Sequence, residues 1–238
     1  MILLLLLVNV EPQPAIDSLR ALINARPQLN VILELNSLYR ITGEFDSSIA
    51  LLKNYEKKAL TDEKPLLFYT LADNYFFVGK ILNARDSYVQ TVGRFSKSEI
   101  ANNALEQLYL IEMGRKDTVL LKRLTRFICY FETSQLRMAE DSLKSVFNTK
   151  LGDYAYYYSA LLYKEKNELS LALSALNELN IKFPDNKIHR ATLLTAEIYL
   201  DLKNKKEAQK ILEELIVKAP ETIYAIRARK LLAESLAK

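Results

Sequence analysis

The sequence predicts an all-α protein: an α-solenoid of about five helical hairpins, with one inserted helix and a C-terminal capping helix. Three observations carry that prediction. Leu, Ala, Lys and Glu dominate a 238-residue chain that holds only five Gly and six Pro, a composition that favours helix. Apolar residues recur three and four apart, which puts them on one face of a helix. A pattern of large, small and aromatic residues also returns after 36 positions near both ends of the chain.

Taken in order, residues 2–8 are an unbroken apolar run with no Lys or Arg ahead of them. The run matches the apolar part of a clipped secretory signal and is too short to span a bilayer. The expectation is an exported chain, with residues 1–10 as that signal segment and 11–238 as one repeat domain. The alternative is a cytoplasmic protein whose greasy first helix packs on the repeat behind it. Ala15, Leu19, Leu22 and Pro27 then read as a lone second helix whose first half is missing or degenerate.

The first full repeat has Ile32, Leu35, Asn36 and Tyr39 before Gly43, then Phe45, Ser48, Leu52 and Tyr55. Stepping from Gly43 to Gly79 finds Phe68, Leu71, Ala72 and Tyr75, then Ile81, Ala84, Tyr88 and Thr91. Near the C-terminus Tyr156, Ser159, Ala160 and Tyr163 lead to Asn167, then Leu169, Ala172, Leu176, Leu179 and Pro184. A further step gives Thr192, Thr195, Ala196 and Tyr199, a turn at Lys203, then Ala208, Leu212, Leu215 and Pro220. Four tyrosines (39, 75, 163, 199) share one column and three alanines (84, 172, 208) another. Small residues suit the places where two helices cross closely, and proline ends a second helix because it cannot continue the hydrogen-bond ladder. Asn204 with Glu207, and Ser96 with Glu99, have the capping-box spacing.

In the centre the phase slips. Leu136, Ala139 and Leu143 mark another second helix, behind Phe127 and Tyr130. The extra chain between Ala84 and Ala139 suits one inserted helix over 98–113, followed by a first helix over 117–131. The array thus divides into N-terminal repeats at 15–97, an insertion at 98–116, C-terminal repeats at 117–221 and a capping helix at 222–238. Its basic side chains face solvent, as the end of a repeat array requires.

The ordered columns, from aromatic, Leu, small and Tyr through Gly, aromatic, Ala and a closing Pro, resemble the tetratricopeptide repeat family over most of 15–238. The tail from Ala219 and Pro220 through Tyr224 and Ala225 to Arg229 is similar to the subgroup in bacterial envelope proteins, such as the outer-membrane assembly lipoprotein and the Tol-Pal coordinator. The resemblance implies a right-handed superhelix, a protein or peptide partner held on its concave side, and a periplasmic or envelope-associated setting.

The residues offer no catalytic constellation. Cys129 stands alone on an apolar face and reads as a small buried hydrophobe; the single His189 falls at a turn beside Arg190. No glycine loop has the spacing that cradles phosphate. The expectation is a protein that is not an enzyme, with no cofactor and no metal.

First helices line the concave side of such an array, so residues off their packing stripe are candidate partner contacts. In the N-terminal repeats these are Arg40, Tyr69, Asp73, Phe76 and Phe77; in the central one Leu124, Ile128 and Phe131. In the C-terminal repeats they are Tyr154, Tyr157, Leu161 and Lys164, then Arg190, Leu193 and Glu197. Aromatic and Arg side chains are favoured interface anchors. The competing expectation is that the inserted helix curls the array so that these aromatics bury against one another, which the exposure of Tyr69, Phe76 and Tyr157 decides. Two other functions stay open. One is single-stranded RNA binding, invited by Lys122, Arg123 and Arg126, although no repeated polar pair gives a base code and the cluster reads as a solvated face. The other is homo-oligomerisation through the terminal hairpins.

Overall fold

The computed structural model describes residues 11–186 and 188–236, so the apolar run at 2–8 lies outside the described residues. Among those residues there are thirteen helices and no strand. They are α1 (Gln13–Ala25), α2 (Leu29–Thr42), α3 (Phe45–Glu56), α4 (Lys64–Phe77), α5 (Ile81–Arg94), α6 (Glu99–Gly114), α7 (Thr118–Glu132) and α8 (Leu136–Leu143). The rest are α9 (Gly152–Glu165), α10 (Leu169–Lys182), α11 (His189–Asp201), α12 (Lys205–Lys218) and α13 (Ile223–Leu236). The lone second helix, the inserted helix and the capping helix are α1, α6 and α13. Five hairpins remain: α2/α3, α4/α5, α7/α8, α9/α10 and α11/α12.

All five hairpin turns have the same chemistry. Gly43, Gly79, Ser134, Asn167 and Lys203 sit in the left-handed region, with φ between 58° and 78°. At each, the turn amide donates to the carbonyl three residues back, and the next amide donates to a tyrosine carbonyl five back at 2.8–2.9 Å. This is the Schellman arrangement, which satisfies carbonyls that a helix end otherwise leaves bare. The tyrosines are Tyr39, Tyr75, Tyr130, Tyr163 and Tyr199. Tyr130 belongs to the column that sequence spacing assigned to four residues only; it escaped because the insertion shifts its phase.

The small columns pack as expected. Ala84, Ala139, Ala172 and Ala208 on the second helices are fully buried, and so are Ala72, Ala160 and Ala196 on the first helices. Asn204 caps α12 by accepting from the Glu207 amide at 3.3 Å. The other expected cap is corrected: Ser98, not Ser96, begins α6, accepting from the Ala101 amide at 3.2 Å. Asp117 caps α7 by accepting from the Leu120 amide. On α1, Ile16 and Leu19 are buried but Leu22 is exposed, because α2 is the helix that packs against α1 and covers a narrow stripe.

The chain forms two compact units that divide between Ala139 and Glu140, within α8. In the first, α1 packs on α2, α4 on α3 and α5, and α6 on α5, α4 and α7; α7 also lies against α4. In the second, α9 pairs with α10 and α11 with α12, α10 packs on α11, and α13 covers α12 and α11. Leu193, Leu212, Leu215 and Ala228 form the core under that capping helix.

Candidate functional site

In the first unit the expected open face is closed. Arg40, Asp73, Phe76 and Phe77 are buried, and Tyr69 is half-buried with its ring 5.7 Å from that of Tyr88. The cause is α7, which packs against α4 and buries its own Leu124 and Ile128, two more of the expected groove residues. Phe131 is half-buried and stacks on Phe127. Phe76 is fully buried between Phe77 and Tyr88. The placement of these side chains on an exposed concave surface is therefore corrected for this unit.

What replaces a groove is a buried polar chain. Arg40 donates from Nε to Asn74 Oδ1 at 2.7 Å, from Nη1 to Glu132 Oε2 at 2.9 Å and from Nη2 to the Thr70 carbonyl at 3.2 Å. Its guanidinium also lies 3.8 Å from Asp73 and 4.8 Å from the centre of the Phe77 ring. Tyr88 donates its hydroxyl to Asp73 at 2.6 Å. On the other side, Asn74 donates to Asn36 and to Ser48, and Ser48 donates to Asn36. Burial, together with the nearby charge of Glu132, pushes the Asp73 carboxyl well above the usual range; Arg40 and the Tyr88 hydroxyl act in the opposite sense without cancelling it. Sequence reasoning missed this network. Its readable signal was Asn36 and Ser48: Ser48 stands in a column where the other four hairpins carry Ala, and Asn36 in one that holds Ala72, Ala160 and Ala196 but Phe127 in α7.

Cys129 is buried on α7, and burial raises its thiol to about 12, which suits an inert core residue. Among the described residues no group of His, Cys, Asp and Glu could hold a metal ion. No described helix is long and apolar enough to cross a membrane.

In the second unit the expected residues come together. Tyr154, Tyr157 and Lys164 lie on α9; Arg190 and Glu197 lie on α11 beside it. The Arg190 guanidinium sits 4.8 Å from the Tyr157 ring centre, a cation–π distance. Lys164 donates to Glu197 at 2.9 Å and lies 3.7 Å from Asp201. Tyr157 is buried and packs on Tyr158, so its expected place as an exposed partner contact is corrected: it supports the face without presenting itself. Leu193 is buried as well. Tyr154, Leu161, Lys164, Arg190 and Glu197 are half-buried, each with part of its side chain in solvent. The result is a surface with an aromatic floor and charges already held in position.

Helical hairpins in series, closed by one repeated turn, define a helical-repeat protein. Residues 154–186 and 190–222, which span the hairpins α9/α10 and α11/α12, match the sequence model of the tetratricopeptide repeat, and this match supports that family. Among solved structures, the chain is similar to the TPR2AB domain of yeast Sti1, described as a complex with pHSP90, at 15% identity and a TM-score of 0.44, covering 93% of this chain and 90% of that one. It is similar to TTC0263, a TPR protein of Thermus thermophilus, at 16% identity and a TM-score of 0.41, covering 89% and 100%. It is also similar to PilW, a type IV pilus biogenesis factor, at 18% identity and a TM-score of 0.41, covering 86% and 98%. No curated protein matches the chain.

Proposed function

We propose that the protein is a non-catalytic scaffold that holds a segment of a protein partner on the first-helix face of α9 and α11. The observation that carries this reading is the pairing of Arg190 over Tyr157 and of Lys164 with Glu197 across two adjacent first helices. Such pre-positioned charges need little reordering on binding, and the half-exposed Tyr154 offers a rigid contact beside them. The site lies within the second unit alone, since α7 and α4 bury the corresponding residues of the first.

The test is partner recovery from the native host with tagged protein. Tyr154→Ala combined with Arg190→Glu should abolish recovery, and Leu171→Ser with Val217→Ser, on exposed second-helix positions, should leave it intact. Equal recovery by both variants would remove this site.

The bacterial envelope setting belongs to the same proposal. The apolar run at 2–8 and the resemblance of residues 219–229 to envelope repeat proteins support it. Fractionation of the host should find the protein with the periplasm or envelope; recovery in the cytosol would contradict it.

A further inference from the structure

The chain's formal net charge is +4, and residues 115–131 alone account for that much, with Arg115, Lys116, Lys122, Arg123 and Arg126 against Asp117. Asp117 is occupied as the cap of α7, and Arg115 pairs with Glu112. Lys122, Arg123 and Arg126 are exposed, and none has an ion-pair partner among the described residues. Some cations elsewhere, Lys80, Lys164, Lys166, Lys182, Lys210 and Lys218, each have a carboxylate within reach; the distinguishing feature of these three is that they share one helix face.

The three share one face of α7 with Val119, at i, i+3, i+4 and i+7. The stem of Lys122 lies against Gly79, where an added Cβ would come within 3.0 Å of its Cε. That turn is flanked by Val78 and Leu82, which are exposed, Leu82 by 77%. Val119 is exposed by 64%. The half-buried Tyr130 ends the stripe one turn beyond Arg126.

We propose that this outward face of α7, with the α4/α5 turn beside it, docks an acidic amphipathic helix of a protein partner. Cations concentrated on one face without internal partners complement a segment rich in Asp and Glu. Arg123 and Arg126 can each take a carboxylate with two parallel hydrogen bonds. Their separation of three residues, about 4.5 Å along the helix axis, suits carboxylates spaced three or four residues apart on a partner helix. Val119, Val78 and Leu82 seat the apolar residues between those carboxylates. A single-stranded nucleic acid needs aromatic platforms, and this face has one half-buried tyrosine. A membrane surface calls for a broader apolar face than two valines and a leucine supply.

The surface is independent of the α9/α11 site and stands or falls separately. The test uses the full chain and a fluorescent helical peptide with glutamates one turn apart and leucines between them. Binding should weaken as salt is raised. It should fall by about tenfold or more when Lys122, Arg123 and Arg126 are changed to Glu, or when the peptide's glutamates become glutamines. The same charge change at Lys203, Lys206 and Lys210, exposed positions of the second unit, should leave it intact, with helicity of all variants checked by circular dichroism. No binding by the parent, equal loss in the control variant, or tighter binding to phosphatidylglycerol vesicles or polyuridine than to the peptide would overturn the proposal.

Discussion

Arg40 and Glu132 lie 92 positions apart in the chain, and the Arg40 guanidinium donates to the Glu132 carboxylate at 2.9 Å. The contact joins the last turn of α2 to the last residue of α7. Its two ends differ: Arg40 is 7% exposed at the side chain and Glu132 is 35% exposed. The buried guanidinium organises Asn74, Thr70 and Asp73 around it, and Glu132 closes the arrangement at the rim.

That asymmetry sets the first prediction. Arg40→Leu leaves the Asn74 oxygen without its partner and Asp73 without a cation, so urea unfolding should show a loss of about 3–5 kcal/mol. Glu132→Gln keeps an acceptor for Arg40 at the half-exposed end of the network and should cost less than Arg40→Leu. Equal losses would show that the network does not depend on the buried cation.

The raised Asp73 carboxyl gives a pH dependence with a definite sign. The folded state holds that proton more tightly than the unfolded chain, whose carboxyl titrates near 3.8. The stability it contributes is therefore fully present below that value and is lost as pH rises through the folded value. Relative to the parent, Asp73→Asn should gain stability as pH is raised from 4.5 to 8, measured by urea melts at each pH. A parent that gains on the variant over that range would reverse the assignment.

Ala172 and Ala208 are fully buried at their helix crossings. Ala172→Leu and Ala208→Leu should each destabilise by about 1–3 kcal/mol in thermal or urea melts, because the packed crossing has no room for the added carbons. An unchanged melt would mean that the alanine column does not mark a close crossing.

The shared turn makes opposite predictions at different hairpins. At Gly43, with φ of 78° and open space around an added Cβ, Gly43→Ala should cost about 1 kcal/mol through backbone strain alone. At Lys203, whose φ is 62°, Lys203→Gly should stabilise by up to about 1 kcal/mol as that strain is relieved. Differential scanning calorimetry of the two variants checks both signs.

The repeat was legible because buried small residues and turn residues leave a fixed spacing in the sequence. Ala84, Ala172 and Ala208 marked their column correctly, and Asn167 and Lys203 were placed at turns although neither is glycine. The site was only half legible. Tyr154, Lys164, Arg190 and Glu197 fell on one face because α9 and α11 keep the regular 36-residue step. Arg40, Asp73, Phe76 and Phe77 occupy equivalent first-helix positions, yet α7 covers them. Local periodicity sets which side of a helix a residue takes, but whether a later helix covers that side is a non-local fact. Glu132 shows the same limit, since nothing near it in sequence marks it as the partner of Arg40.

If the α9/α11 face holds the partner, a crosslinker placed there should capture it. Photocrosslinking in the native host tests this most directly, with a benzophenone amino acid at Tyr154, Leu161 or Glu197 and, as controls, at the exposed Leu171 and Val217. One protein adduct should be shared by the first three positions and absent from the controls. Adducts confined to Leu171 and Val217, or none from the α9/α11 face while partner recovery persists, would contradict it.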